Sequence, residues 1–306
     1  MSSSIAQQRH QGLTKAGVLD WLNESHSPTK RENYFHSRYS ESVEGWNTVS
    51  DLVAEYFRSA HDDAIQRFRR IAGMSLHPTG QSQPLPSPYD QYPFGFPDIA
   101  VQGLFGEVLA GLLAETCGAA GFDNWEVPAH LFHTHIIAFQ QLEQQSQSGI
   151  TATTLFGRTG DDCLAFRRDP KTSEIVSVLY CEAKCTTRHN ISLVQEAHAK
   201  AATSGIVDIF QLIEALASRN STDADEWTNA LRVLHGRLHS NPSVSIDRSD
   251  AVYYLHGQAP IQRATWIDSD NPIPEYTAAR HLHAIEVHLS DVLVRVRSIY
   301  CPQVWT

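Results

Sequence analysis

The stretch from Gly157 to Lys184, GRTGDDCLAFRRDPKTSEIVSVLYCEAK, constrains the fold more than any other part of the chain. Two apolar runs flank a polar segment, Arg167 to Glu174, in which Asp169-Pro170 breaks regular structure. The first run starts at Asp162 and carries Cys163, Leu164, Ala165 and Phe166. The second extends from about Ile175 to Cys185 and is rich in β-branched and aromatic residues, so the pattern predicts a β-hairpin. Near the end of the second strand stand two charges, Glu182 and Lys184. Strand side chains alternate between faces, which puts Ile175, Ser177, Leu179, Cys181, Ala183 and Cys185 on one side. Val176, Val178, Tyr180, Glu182 and Lys184 share the other. Glu182 and Lys184 therefore project together, about 6–7 Å apart along the strand. A turn centred near Lys171 places Asp162 opposite Tyr180 and diagonal to Glu182 on that same face, a backbone separation of about 7–8 Å that side chains can bridge.

Two carboxylates and one ammonium converging at one end of a sheet make poor structural glue, because the carboxylates repel and a single lysine compensates only half of that charge. A hard divalent cation resolves the conflict. Mg²⁺ (or Mn²⁺) takes oxygen ligands, keeps several waters and is commonly held by one or two carboxylates plus a phosphate. It would activate a water and neutralise charge developing on phosphorus, while Lys184 orients that water or stabilises the transition state.

Upstream, Ile99 to Cys117 (IAVQGLFGEVLAGLLAETC) predicts a strongly apolar helix in which Glu107 stands alone among Leu104, Phe105, Val108, Leu109 and Leu112. A buried carboxylate is costly unless paired or metal-bound; taken by itself, Glu107 reads as the exposed edge of the helix. Downstream, Asn190 to Ala217 predicts helix with a break near Ser204-Gly205.

Together these features resemble the PD-(D/E)xK nuclease superfamily, whose members have the restriction-endonuclease-like fold. Asp162 opens a hydrophobic strand and Glu182-Ala183-Lys184 closes the next. Gly160-Asp161-Asp162-Cys163-Leu164-Ala165 is similar to the family's Gly-x-Asp-hydrophobic-hydrophobic-Ala motif, and Gly106-Glu107-Val108-Leu109-Ala110 to its Gly-Glu helix. The resemblance covers residues 99 to about 217. It implies an α/β restriction-endonuclease-like core, a central mixed β-sheet flanked by helices, and Mg²⁺- or Mn²⁺-dependent hydrolysis of phosphodiester bonds, in DNA before RNA. Asp162, Glu182 and Glu107 are the implied metal ligands and Lys184 the implied catalytic cation. The family also carries a polar residue on the helix after the lysine strand; Gln195 fits that position, with Glu196 and Lys200 as weaker candidates. Asp161 stands where the family often has proline, leaving two adjacent aspartates as candidates; parity with Glu182 favours Asp162.

The rest of the chain adds context. Thr14 to Asn23 and Thr48 to Ala72 read as helices, the latter from apolar residues at three- and four-residue spacing. Residues 1–75 thus form a mostly helical N-terminal region. Residues 76–98, rich in Pro, Gln, Ser and Tyr, read as a linker or arm pinned by Tyr89, Tyr92, Phe94 and Phe96, and residues 99–306 as the nuclease-like domain. Ala251–Leu255, Ala284–Leu289 and Val292–Ile299 read as further strands, the last with a helical alternative. A helix is expected from about Pro128 to Gln147. His130, His133 and His135 read as surface histidines, since residues two apart on a helix do not share a face. His281 and His283 meet the same objection. Cys163, Cys181 and Cys185 lack a paired knuckle spacing and read as buried structural thiols.

A formal net charge of −10 argues against tight autonomous nucleic-acid binding through the overall field. Any basic surface must be local, or a protein partner such as a helicase or sensor subunit must supply affinity. The layout is similar to nuclease subunits of bacterial anti-phage systems of the Hachiman type, which work with a helicase. The residues MSSSIAQQRHQGLTK lack the apolar core of a signal peptide, and no run reads as a membrane span, so the expected location is cytoplasmic with no membrane partner.

Overall fold

The predicted second strand of the hairpin, Ile175–Thr186, is the longest strand of a six-stranded sheet. In the computed structural model, residues 12–26, 33–73, 92–94, 96–132, 162–205, 209–217, 219, 221–240 and 246–301 are described. In chain order the elements are α1 (Lys15–Trp21), β1 (Leu22–His26), β2 (Tyr34–Glu41), α2 (Val43–Gly73), α3 (Asp98–Cys117), β3 (Cys163–Arg168) and β4 (Ile175–Thr186). They continue with α4 (Ile191–Thr203), α5 (Ile209–Ala217), α6 (Thr222–Ser240), β5 (Asp247–His256), β6 (His281–His288) and α7 (Val292–Ile299). The strand order is β1-β2-β6-β5-β4-β3; β4, β5, β6 and β2 run parallel, and β3 and β1 close the two edges antiparallel. A mixed α/β sheet flanked by helices is what the sequence predicts.

Both faces of the sheet are covered, which is why β4 and β5 read as nearly continuous apolar runs. Leu179, Cys181, Tyr253, Leu255, Ile285 and Val287 pack under α1, α2, α3 and α7. Val178, Tyr180, Val252, Tyr254, Leu282 and Ala284 pack under α4, α5 and α6. α3 is buried on almost every side. Gly106 lets it close on β4, since a Cβ there would stand 3.1 Å from Cys185 Cβ. At Gly111 a Cβ would fall 2.5 Å from His130 Cε1. α3 is also long and apolar enough to cross a membrane, contrary to the reading that no run reaches that length, but 78% of that stretch is buried inside the fold.

The N-terminal region departs from expectation. It contains α1 and the 31-residue α2, as the periodicity predicts, but also β1 and β2. β2 pairs in parallel with β6, Tyr34 beside Leu282 and Ser40 beside His288. Residues from Leu13 to Tyr300 share one apolar cluster, so the described residues before and after the Pro-rich segment pack on a common core. The alternation in YFHSRYSE is interrupted by polar residues that the sheet buries, His36 and Ser37, which hides the strand. Of the aromatics expected to pin the arm, Tyr92 and Phe96 are buried and Phe94 half-buried, while Tyr89 lies outside the described residues.

Val292–Ile299 is a helix, not a strand. Asp291 caps it, its carboxylate accepting from Val294 N at 3.1 Å, and Val292, Val296 and Ile299 are buried at helical spacing. The expected helix from Pro128 is absent at its start, where residues 128–132 are irregular; the remainder, with His133 and His135, lies outside the described residues. His130 is buried rather than on the surface. So is His283, whose Nδ1 accepts from Ala120 N and whose Nε2 meets Ser37 Oγ at 2.9 Å.

Tight backbone approach also fixes how α2 leaves the sheet. At Gly45, in the first turn of α2, a Cβ would lie 2.0 Å from the carbonyl oxygen of Asp20. Gly45→Ala therefore forces backbone apart and is expected to cost about 1–3 kcal/mol in urea unfolding. At Gly236, inside α6, a Cβ meets nothing within 4 Å. Gly236→Ala is expected to stabilise by about 0.5–1 kcal/mol in the same measurement, from helix propensity alone.

Candidate active site

The hairpin turn is built by Asp169, whose Oδ1 accepts from Lys171 N and Thr172 N, with Ser173 at a positive φ of 58°. A register shift between Arg167 and Arg168 then slides the strands, so that Cys163 faces Cys181 and Leu164 faces Tyr180. This is two residues from the expected register. Parity is preserved, but Asp162 comes level with Glu182 instead of diagonal to it. Asp162 precedes the first β3 residue, and its Oδ2 accepts from Ala183 N at 2.9 Å, which fixes the carboxylate at the edge of β4. Asp161 lies outside the described residues.

Glu182 and Lys184 share the face covered by α4, as the alternation predicts. Glu182 is 0% exposed. Its Oε2 accepts from Tyr180 OH at 3.3 Å and meets Lys200 Nζ at 2.6 Å. Lys200 Nζ also reaches Asp162 Oδ1 at 3.2 Å, so one ammonium bridges both carboxylates. Lys184 Nζ stands 3.2 Å from Glu182 Oε1 and 2.8 Å from Glu196 Oε1. The first of these is an ion pair with poor hydrogen-bond alignment, which leaves Glu182 Oε1 buried without a hydrogen-bond donor.

α4 delivers two of these groups. Asn190 caps it by accepting from Ser192 N, and Val194, Ala197 and Ala201 anchor it on the sheet. Glu196 and Lys200, one helical turn apart, thereby face the charged end of β4. Gln195, the favoured residue of this helix, is turned elsewhere: its Nε2 donates to Glu275 Oε1 at 2.7 Å. Among the helix candidates the order is thus reversed, with Lys200 and Glu196 engaged. Glu107 is buried rather than on an exposed edge. Its helix covers the Ala183 and Cys185 face, opposite the Glu182 and Lys184 side chains. The thiol of Cys163, next to Asp162, is pushed up first by its Cys181 partner and by burial, and the Glu107 charge is the smallest of its influences.

Electrostatics follow from burial. Desolvation is the largest influence on the Glu182 carboxyl and pushes it up, to about 8. The Asp162 charge pushes the same way, while Lys200 and Lys184 pull it down. Burial works against the charge of both lysines. For Lys200, Asp162 and then Glu182 outweigh it; for Lys184, Glu182 and then Glu196 do, and both ammoniums are held above the usual lysine range. Lys184 is therefore a fixed cation near neutral pH, not a proton acceptor.

The residues fit a hard cation in a limited way. Asp162 and Glu182 offer oxygen donors, and Glu182 Oε1 is buried, ion-paired to Lys184 but without an aligned hydrogen bond. A carboxylate pair suffices for Mg²⁺ when water and phosphate complete the shell. Among the described residues, no group of three or more His, Cys, Asp or Glu side chains could hold a metal ion.

The same sheet face carries a second polar group absent from the sequence reading. The pairing aligns Lys184 with Tyr254, Glu286 and Arg38 across four strands. Glu286 is fully buried. It accepts from Trp266 N at 2.9 Å and Ile267 N at 2.5 Å, with His36 Nε2 at 3.4 Å and His256 Nε2 at 3.7 Å. It pins the β5–β6 connection at the carboxyl ends of the parallel strands, two strands away from Lys184. That connection in turn stacks Trp266 on His189, ring centroids 3.7 Å apart, just after β4.

No family model matches the chain, and no curated protein matches it.

Burial would raise the Glu286 carboxyl, but the two imidazoles and the two backbone N–H donors outweigh it and bring it down to about 2. A folded-state value below the unfolded one gives stability that is complete above pH 4.5 and drains as pH falls toward 2. Glu286→Gln is expected to cost about 1–3 kcal/mol at pH 7. It should also flatten the pH dependence of urea stability within that acid window.

Proposed function

We propose that the chain is a metal-dependent phosphodiesterase acting on nucleic acid, DNA in preference to RNA, with a restriction-endonuclease-like core. The observation that carries this reading is the meeting of Asp162, Glu182 and Lys184 at one end of β3 and β4, with Glu182 fully buried yet holding an oxygen that accepts no hydrogen bond. The order of elements supports it: a Gly-Glu helix, an aspartate opening one strand, Glu-x-Lys closing the next, then a helix that returns over the site. A site beside the carboxyl ends of parallel strands is also where open α/β sheets place ligands.

In this reading Asp162 and Glu182 hold the cation. When bound, the cation supplies an acidified water and charge stabilisation at phosphorus. Asp162 is oriented by Ala183 N and Glu182 by Tyr180 OH. Lys184, kept charged by Glu182 and Glu196, stabilises the negative charge that develops on the phosphoryl oxygens and does not abstract a proton. The net charge of −10 leaves substrate affinity to local cations, or to a partner that gates the activity. The anti-phage setting rests on the resemblance alone.

A second reading has its own observation. Lys200 and Lys184 neutralise both carboxylates without a metal, as expected of a nuclease-like fold kept only for binding. Nuclease assays on single- and double-stranded DNA and RNA, with Mg²⁺ or EDTA, separate the two. The catalytic reading expects Mg²⁺-dependent cleavage that Glu182→Ala and Lys184→Ala each reduce at least about a hundredfold. Cleavage untouched by either substitution excludes this site.

A further inference from the structure

We propose that Lys200 is the resident counter-cation of the carboxylate pair and gates entry of the divalent metal, which loads only as the Lys200 ammonium swings out. This rests on the metal-site reading above and deepens it by assigning how the site is kept closed.

The geometry is specific. Of the two lysines in the site, Lys200 alone touches both carboxylates, at 2.6 Å from Glu182 and 3.2 Å from Asp162. A cation bridging that pair would need the same place. Lys184 instead lies to one side, shared between Glu182 and the 62%-exposed Glu196, so it can stay when the centre changes. Lys200 comes from the last turn of α4, not from the sheet, and its side chain is 27% exposed. A four-carbon stem with an open side can leave toward solvent without moving the helix, whose grip on the sheet comes from Val194, Ala197 and Ala201.

Charge counting gives the direction. With both carboxylates of the pair ionised, as a bound metal requires, and the 62%-exposed Glu196 left to solvent, Asp162, Glu182, Lys184 and Lys200 cancel to zero formal charge. Adding a divalent cation with Lys200 in place leaves +2 in a largely buried site, which is strongly unfavourable. Departure of Lys200 leaves +1, and one phosphodiester anion then restores neutrality. Metal and anionic substrate are therefore expected to bind better together than either alone.

The test is Mn²⁺ binding to the full chain, followed by electron paramagnetic resonance of free Mn²⁺ and by calorimetry, with no turnover required. Lys200→Met removes the competing cation and is expected to tighten Mn²⁺ at least about tenfold over the unsubstituted protein. Lys200→Arg puts a guanidinium fork between the carboxylates and is expected to weaken it. Should Lys200→Met fail to fold, the Arg variant decides. Unchanged Mn²⁺ affinity in the Lys200 variants, with binding abolished by Asp162→Asn, overturns the gate and leaves the metal site standing. No Mn²⁺ binding in any form, Lys200→Met included, overturns the gate together with the metal reading.

Discussion

A carboxylate taken wholly out of water must be met by positive charge, and the arrangement around Glu182 follows from that requirement. Burial alone would neutralise the group. Two lysines from different elements oppose that: Lys184 from the same strand and Lys200 from the helix laid across it. The position of α4 is thereby fixed twice, by apolar residues against the sheet and by the ion pair at its end. Asp162, bound to the backbone of Ala183, ties the start of β3 into the same cluster. Loss of any one partner would leave the others facing uncompensated charge in a medium that screens poorly.

How much of this was legible in the sequence depended on which physical rule decided each residue. The Glu182–Lys184 face could be read because a strand's period of two is rigid once the strand is recognised. The exact partner of Glu182 could not, since the register depends on the Asp169 turn and the irregularity at Arg167–Arg168 rather than on the apolar pattern. Lys200 and Glu196 stand one helical turn apart, so their shared stripe was visible. That the stripe faces β4, while Gln195 turns to Glu275, is decided by how the helix docks. Val292–Ile299 misleads because alternating valine and arginine imitates a strand, and the Asp291 cap outweighs that pattern. The Glu286 group left no local sign: its partners come from positions 36, 256, 266 and 267 and meet only in the folded sheet.

The two polar groups on this face divide the work differently. The Glu286 carboxylate receives two backbone donors and holds a loop in place, which is a structural task. The Asp162–Glu182 pair receives side-chain ammoniums that can move, and one of its oxygens has no hydrogen-bond donor. Fixed backbone donors suit permanence; mobile side-chain cations suit exchange. The contrast separates the side-chain-held charge at the β3–β4 end of the sheet from the backbone-held charge of Glu286.

Pairing of β2 with β6 has a consequence for how the chain comes together. Tyr34 lies beside Leu282, so this ladder closes across nearly the whole sequence. Contacts of such long range are slow to form, because the loop between them must be ordered first. During synthesis β2 and β1 have no sheet to join until β6 emerges. A partner that held the early ribbon, or delayed its arrival, would act on assembly of the sheet rather than on its chemistry. Asn23, Glu24 and Ser25 keep the outermost strand polar, a composition that discourages pairing with another chain in the interval.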